Sequence, residues 1–291
     1  MIYSELILEG TALLSDADIT EAALDARLLL EYICHTDRNT LYAHPDLVVE
    51  DNKATEYREL IKKRASHVPL QHLTGSQNFM GLDFLVTKDV LVPRQDTEFL
   101  VEEAMKYLQD GMRVLDLCTG SGCILISLMH YKNNIEGLGV DISEPALSIA
   151  KRNAERLLAN NKPNAPVFLL GDLYEALNGA DVQSSIPSKF DIIVSNPPYI
   201  KPSVIKTLMP EVKNHEPMLA LDGGEDGLDF YRRIADGAKD YLTNYGRIFL
   251  EIGYDQGEEV VDILENAGFT EVSCLKDYAN NPRVVIGKLI K

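Results

Sequence analysis

The sequence predicts an α/β fold. It consists of a doubly wound, mostly parallel seven-stranded sheet with an antiparallel last strand, plus a small N-terminal helical bundle joined to it by a β-hairpin. Three observations predict this arrangement. Apolar residues at helical spacing fill the first quarter of the chain, strand-like segments with turn residues follow, and strands then alternate with helices to the end.

The N-terminal bundle is predicted by apolar residues that recur at helical spacing. One amphipathic helix runs from Ala22 to Tyr32 behind an acidic first turn, and another covers Lys53 to Ala65. Short polar turns connect such helices, as in a small bundle. We therefore expect residues 1–72 to form a separate helical domain.

The pattern changes to short strand-like segments over residues 73–92, which predicts a β-hairpin linking two domains. The predicted strand segments include Phe84–Val86 and Val90–Val92. A helix over Thr97–Gln109 follows, with Asp96 as its expected N-cap.

Residues 93–291 are predicted to form one α/β domain, because strands and helices alternate from Met112 onward. The last two strands are separated by only about eight residues, too few for a helical crossover, so the final strand is expected to pair antiparallel. The predicted strands are Arg113–Leu117, Gly137–Val140, Val167–Leu170, Asp191–Ser195, Arg247–Ile252, Thr270–Cys274 and Arg283–Lys288; the predicted helices are Ser121–Met129, Glu144–Ala159, Gly227–Tyr241 and Gln256–Ala267.

The charge balance argues against a nucleic-acid substrate. Net charge is −17, because 45 acidic side chains outnumber 28 basic ones. Affinity for nucleic acids comes mainly from clustered Lys and Arg that neutralise phosphates. The basic cluster that is present, Lys62-Lys63-Arg64, is interpreted as a solvated helix face.

Composition also indicates where the protein is located and whether it binds a metal. No run of about 18 apolar residues occurs, so no spanning helix or membrane partner is expected. The first residues lack the basic region and apolar core of a signal peptide, which predicts a cytoplasmic location. The 4 cysteines form no CxxC pair and the 6 histidines no HExxH, so we expect reduced thiols and no metal site.

The most informative segment is Asn196-Pro197-Pro198-Tyr199, directly after a predicted buried strand. Two prolines force the backbone out of the sheet in a rigid, extended turn. Because prolines have no N–H, carbonyl oxygens and the Asn196 side chain are expected to face the crevice as acceptors. Rigid acceptors beside an aromatic ring suit a planar –NH2 group, such as an amide or a base amine. An ordinary strand-to-loop turn is the alternative.

A glycine loop with a distant acid predicts a nucleoside-cofactor site. The loop leads from strand to helix, and Asp141 lies 19 residues after Gly122, where a carboxylate accepts ribose hydroxyls. A nicotinamide enzyme would have glycine at Leu125, and the GK[ST] of a P-loop is absent. S-adenosylmethionine fits because it has no phosphate, and Asp172 could face its adenine amine. A tight turn that binds nothing is the alternative. The residues assigned to the cofactor are Cys118, Thr119, Gly120, Ser121, Gly122, Asp141, Asp172, Leu173 and Asn196.

Taken together, these segments resemble the class I S-adenosylmethionine methyltransferases that modify a glutamine side-chain amide in peptide chain release factors. Two departures stand out. Cys118 occupies the position of the family's first loop glycine, where positive φ would be uncomfortable, and Gln95 replaces a second proline. The segments that carry the resemblance are Pro69-Leu70-Gln71, Val92–Glu98, Asp116–Gly122, Asn196–Tyr199, Glu216-Pro217, Ala220–Gly224 and Asp226-Gly227.

The resemblance implies methyl transfer from S-adenosylmethionine, leaving S-adenosylhomocysteine, to N5 of the glutamine in the Gly-Gly-Gln motif of release factors. The Asn196 oxygen and the Pro197 carbonyl would accept the amide N–H groups. Tyr199 would pack on the amide plane, while Pro198 would hold the turn. Residues 1–72 would help to bind the release factor, with the enzyme as a monomer.

The same resemblance implies roles for residues around the turn. Arg94, Thr97 and Glu98 would shape the site entrance, and Glu216 and Asp222 would lie on a loop that closes over it; structural ion pairs or caps are the alternative. Two other functions stay open. One is methylation of adenine N6 or guanine N2 in nucleic acids, because the enzymes that do this use the same turn. The other is a cofactor-binding scaffold without activity.

Overall fold

A computed structural model describes residues 1–158, 165–178 and 186–291. The predicted end of a helix at Ala159 lies outside these residues. Within the described ranges, every helix is too short or too polar to cross a bilayer. The described residues also contain no group of three or more His, Cys, Asp or Glu side chains placed to hold a metal ion.

The described elements follow the predicted order of helices, hairpin and alternating α/β units. The helices are α1 (Tyr3–Asp16), α2 (Ala22–Cys34), α3 (Arg38–Ala43), α4 (Asp51–Ala65), α5 (Leu70–Thr74), α6 (Gln95–Tyr107), α7 (Cys123–Tyr131), α8 (Glu144–Leu158), α9 (Pro202–Ile205), α10 (Pro210–His215), α11 (Asp229–Tyr241) and α12 (Gly257–Asn266), with 3₁₀ turns at Leu173–Leu177 and Met218–Ala220. The strands are β1 (Ser76–Phe79), β2 (Leu82–Leu85), β3 (Arg113–Leu117), β4 (Glu136–Asp141), β5 (Val167–Leu170), β6 (Phe190–Ser195), β7 (Leu242–Glu251), β8 (Thr270–Lys276) and β9 (Pro282–Lys288).

The chain divides into two compact units, each with its own core. The smaller unit joins Met1–Ser76 with Met209–His215, and the larger joins Gln77–Leu208 with Glu216–Lys291. The smaller unit is helical, so the expectation of an N-terminal helical region is confirmed. Its second segment was not expected from the sequence.

The helical unit buries apolar faces of α1, α2 and α4 around Tyr57. The Tyr57 hydroxyl donates to the Leu6 carbonyl at 3.1 Å, which satisfies the one polar atom of this buried ring. Polar residues also contribute to this core. Arg64 is buried, so the interpretation of Lys62-Lys63-Arg64 as a solvated helix face is wrong for this residue. Arg64 Nε donates to Asp25 at 2.7 Å, and Arg64 Nη2 donates to Glu211 of α10 at 3.1 Å.

In the larger unit, β1 and β2 form a separate two-stranded sheet. Their turn is Met80-Gly81, with φ of 52° and 71°, the left-handed pair that a tight two-residue hairpin turn needs. Glu98 Oε1 accepts the Met80 N–H at 2.6 Å. Glu98 therefore supports the hairpin turn instead of facing the cleft described below.

The expected strand at Val90–Val92 is wrong, because this segment is an irregular stretch in the structure. Its apolar character has another cause. Val90 is buried in a small cluster with Val86, Ala146 and Ile149, so it packs against α8 without joining a sheet. Burial alone can select β-branched residues, independently of strand pairing.

The main sheet has seven strands in the order β5-β4-β3-β6-β7-β9-β8. Pairings from β5 through β7 are parallel, whereas β9 lies antiparallel between β7 and β8. The predicted fold class is confirmed, including the antiparallel last strand. Chain order reverses between β3 and β6, and ligands in such sheets bind at the carboxyl ends of the strands beside that point.

The start of α6 differs from the prediction. The helix begins at Gln95, with Arg94 in extended conformation as the N-cap residue, so Asp96 is not the cap. Asp96 instead lies in the first turn, where a carboxylate is favoured by the helix dipole. It also pairs with Arg283 of β9 at 2.9 Å. The earlier start moves Thr97 into the first turn as a buried residue.

Candidate active site

A cleft lies at the carboxyl ends of β3, β4 and β6, and its empty space of about 1140 Å³ includes open solvent outside its mouth. The predicted cofactor residues that line it are Cys118, Thr119, Gly120, Ser121, Asp141, Asp172, Leu173 and Asn196. Gly122 does not line it; this residue is the N-cap of α7, and a Cβ there would come within 2.8 Å of Ile126 Cδ1. Gly122 thus serves helix packing behind the loop.

The glycine loop begins with a strained non-glycine residue. Cys118 has φ of 60°, so the left-handed position anticipated from the sequence is present and is occupied by cysteine. Such a conformation costs a side-chain-bearing residue on the order of 1 kcal/mol. Gly120 has φ of 55°, and a Cβ there would meet no atom within 4 Å, so backbone conformation and not close approach favours glycine at this position.

A buried carboxylate supports the loop from below. Asp116, in β3, is fully buried and accepts the Thr119 hydroxyl at 2.6 Å. Burial raises the pKa of Asp116 to about 7, against the lowering effect of the Thr119 hydrogen bond. The Thr119 N–H donates to the Val140 carbonyl at 3.0 Å, which fixes the loop against β4.

Asp141 joins the loop to the end of β4. Its two carboxylate oxygens accept the backbone N–H groups of Gly120 at 2.8 Å and Ser143 at 2.9 Å. Burial raises the pKa of this carboxyl, and those backbone hydrogen bonds oppose the rise. Each oxygen keeps a further lone pair, so Asp141 can still accept hydroxyl groups from a ligand.

Both arginines of the cleft lining are ion-paired. Arg233 Nη2 lies 2.7 Å from Asp172, and Arg94 Nη2 lies 2.8 Å from each carboxylate oxygen of Glu216. The carboxylates of these pairs offset the positive charge that the two arginines bring to the cleft.

Asn196 lies at the wall of the same cleft, directly after β6. Its Nδ2 donates to the Thr97 hydroxyl at 3.3 Å, which turns the amide nitrogen toward α6. Pro198 also lines the cleft, whereas Pro197 is buried outside the lining. Tyr199 is outside the lining too; it packs against the sheet core, and burial raises its pKa.

The proline turn is braced from behind. Gln256 Nε2 donates to the carbonyls of Tyr199 at 3.1 Å and Gly227 at 3.2 Å. Ile200 pairs with the following segment: its N–H donates to Leu221 at 2.9 Å, and its carbonyl accepts from Gly223 at 3.0 Å. These bonds connect the turn to the segments on both sides of it.

Gly223 is required by close approach. A Cβ at this position would lie 2.6 Å from Tyr199 Cα, a distance that real Cβ atoms do not reach. Asp222 does not line the cleft; its Oδ1 accepts the Gly224 N–H at 3.0 Å. Its neighbours Pro217, Leu219 and Ala220 do line it, next to Glu216.

Several lining residues were not predicted. Ile142 is 55% exposed in the structure, and its place directly after the predicted ligand-binding Asp141 is a signal that the sequence itself contains. Phe230 and Arg233 come from α11, far along the chain from the loops that they face, so no local signal marked them. A further buried carboxylate, Glu251, lies behind Asn196 and was also missed.

Comparison with known proteins matches both units. Residues 5–75 match the family described as PrmC N-terminal domain, and residues 108–236 match a family described as Methyltransferase domain. A crystal structure of a methyltransferase from Pyrococcus furiosus superposes with a TM-score of 0.53 at 20% identity, over 79% of this chain and 99% of that one. That likeness shows the fold.

Two relatives match nearly the whole chain. A release factor glutamine methyltransferase from Clostridium acetobutylicum is 42% identical over 266 residues, covering 90% of each chain. Another with that name, from Clostridium botulinum, is 38% identical over 98% of each chain. With both domain matches in their expected places, the chain belongs to the release factor glutamine methyltransferase family.

Proposed function

We propose that this protein transfers a methyl group from S-adenosylmethionine to N5 of the glutamine in the Gly-Gly-Gln motif of peptide chain release factors. The observation that carries the proposal is the position of Asn196. It lies in the cleft that holds the glycine loop, with its nitrogen bonded to Thr97 inside the protein, so its oxygen is the atom left for a substrate amide.

The cofactor would lie along the glycine loop. Asp141 would accept ribose hydroxyls through its remaining lone pairs, and Asp172 would accept the adenine amine. Leu173 and Ile142 supply apolar surface in the lining. The cofactor supplies a methyl group on a positively charged sulfur, which is electrophilic enough to need no further activation.

The substrate amide would be gripped by acceptors. The Asn196 oxygen, in the cleft lining, would accept one amide N–H, and the Pro197 carbonyl, outside the lining, would accept the other. Tyr199, also outside the lining, would support the turn that carries both acceptors. Each hydrogen bond is worth roughly 0.5–1.5 kcal/mol, but correct placement of the nitrogen is worth about a hundredfold in rate. The chain's task is thus alignment and exclusion of water.

A protein substrate agrees with the charge of the chain, which at −17 disfavours nucleic acids. Monomeric state, cytoplasmic location and substrate contacts through residues 1–72 stay predictions.

The test is methyl transfer with purified components. The enzyme is mixed with methyl-labelled S-adenosylmethionine and one of three substrates: release factor, the same factor with the motif glutamine changed to alanine, or duplex DNA. We expect label only on the unchanged factor. Label on DNA, or equal label on the altered factor, would overturn the proposal.

A further inference from the structure

Glu251 is a buried carboxylate placed directly behind Asn196. It is the last residue of β7. Leu250 pairs with Ser195, the last residue of the adjacent parallel strand β6, so Glu251 and Asn196 each come one residue after that pair. Glu251 is 1% exposed and does not line the cleft. It therefore cannot touch a substrate and must act through its neighbours.

The surroundings of Glu251 are unusual for a carboxylate. Within the described chain, its Oε2 has no hydrogen-bond partner. Burial raises its pKa to about 7, against the lowering effects of Thr97, Arg283 and Asn196. A buried carboxylate oxygen without a partner is costly, typically about 1–3 kcal/mol, so Glu251 does not serve stability and we look for a role at the cleft.

The role follows from donor and acceptor chemistry. Asn196 can present either its –NH2 or its oxygen toward the interior. An ionised carboxylate only accepts hydrogen bonds, so Glu251 favours the –NH2 orientation. Thr97 acts in the same direction: its hydroxyl accepts from Asn196 Nδ2 at 3.3 Å, which leaves its single proton for the carboxylate.

We propose that Glu251 is a positioning residue for methyl transfer: with Thr97 it holds the Asn196 nitrogen toward the interior and the Asn196 oxygen toward the substrate amide. The inference rests on the proposed function, since it assigns a use to that oxygen. If the Asn196 side-chain amide were flipped, its –NH2 group would face the –NH2 group of the substrate amide. Both groups are hydrogen-bond donors, so they could not bond to each other.

The protonation state of Glu251 tests this orientation. A protonated Glu251 can donate to the Asn196 oxygen, which removes the preference for the productive orientation. Activity should therefore fall as pH drops through about 7. The titratable groups that face Glu251 from neighbouring elements are Asp96 on α6, Arg283 on β9, Tyr231 on α11, Cys123 on α7 and Tyr199 after β6.

The kinetic experiment compares Glu251→Gln, Thr97→Val and Thr97→Ser with wild type. We expect kcat to fall about tenfold in Glu251→Gln and Thr97→Val, with KM for both substrates changed less than about threefold. Thr97→Ser keeps the hydroxyl and should retain wild-type kcat within about twofold. Glu103→Gln, a buried carboxylate on α6 paired with Lys106 at 2.5 Å, is the matched control and should leave kcat unchanged.

A second measurement, an NMR pH titration of the Asn196 side chain, does not depend on enzymatic activity. The side-chain amide ¹⁵N–H signals of Asn196, identified by their absence in Asn196→Ala, should shift with a midpoint near pH 7 in wild type and stay constant in Glu251→Gln. Wild-type kcat in both Glu251→Gln and Thr97→Val, or a pH-independent Asn196 signal in the wild type, would overturn the inference. A wild-type enzyme that does not methylate release factor would instead overturn the proposed function.

Discussion

Two buried carboxylates, each beside a threonine, support the two sides of the cleft. Asp116 accepts the Thr119 hydroxyl at 2.6 Å under the glycine loop. Glu251 faces Thr97, which in turn accepts from Asn196 at 3.3 Å beside the proline turn. Both carboxylates are buried, and burial raises the pKa of each to about 7. Each also has one oxygen without a hydrogen-bond partner in the described residues.

The two supports differ in how the chain builds them. Asp116 and Thr119 are neighbours in one strand-to-helix connection, so a short segment contains the entire support of the glycine loop. Glu251 and Thr97 come from a strand and a helix that are far apart in sequence. The support of the proline turn exists only after the sheet has formed, which ties the positioning of the reacting amide to the integrity of the fold.

The largest expected effect is a loss of turnover at the proline turn without a matching loss of cofactor binding at the glycine loop. Asn196→Ala should abolish turnover, because it removes the oxygen that we propose accepts from the substrate amide, and leave cofactor affinity within about tenfold. Labelled methyl transfer and calorimetric titration of S-adenosylmethionine measure the two quantities. Asn78→Ala, in the exposed hairpin, is the control. A fully active Asn196→Ala enzyme would refute the assignment.

A smaller loss of kcat is expected when the proline turn is displaced but the Asn196 oxygen is kept. In Gly223→Ala the new Cβ must displace Tyr199, since the unrelaxed distance to its Cα is 2.6 Å. We expect kcat to fall between about tenfold and a hundredfold, with cofactor affinity less affected. Steady-state kinetics at saturating cofactor gives the answer, and unchanged kcat would show that the turn tolerates displacement.

Thr119→Val tests the opposite side. Losing the hydroxyl leaves Asp116 with one fewer hydrogen bond and loosens the glycine loop. Cofactor affinity should fall about tenfold while kcat at saturating cofactor changes little, the reverse of the pattern expected for Thr97→Val. Thr119→Ser should restore binding. Equal losses of kcat in Thr119→Val and Thr97→Val would contradict separate roles for the two carboxylates in cofactor binding and in catalysis.

The smallest expected effect is on stability. Folding raises the pKa of Asp116 from 3.8 to about 7, so the native state holds this proton more tightly than the unfolded chain. Its stabilising contribution is complete below about pH 4 and is lost as pH rises through about 7. Between pH 6 and pH 7 this amounts to about 1 kcal/mol. Denaturant unfolding at both pH values should show that Asp116→Asn lacks this loss, whereas an unchanged slope would contradict the assignment.

Sequence patterns could predict the parts of the site that short segments encode. The spacing from Gly122 to Asp141 placed the acid at the cleft, and the Asn196–Tyr199 turn was recognisable from its prolines. The fold class followed from the alternation of strands and helices. These inferences succeed because strand, turn and helix starts are determined by residues close together in the chain.

What the sequence did not reveal depends on distant partners. Gln256 braces Tyr199, and Arg233 pairs with Asp172, yet in neither case does the spacing along the chain indicate the contact. The strand expected at Val90–Val92 failed for a related reason: its apolar residues are explained by burial against α8. Pattern alone does not distinguish pairing from packing.

The helical unit is assembled from two stretches of chain, and this limits how the protein can be dissected. Glu211, in the second stretch, accepts from Arg64 at 3.1 Å and lies 3.2 Å from His67 Nδ1. A truncation after Ser76 would leave this segment behind without either partner. Exchanging the helical unit between relatives therefore requires two grafts, one at each stretch.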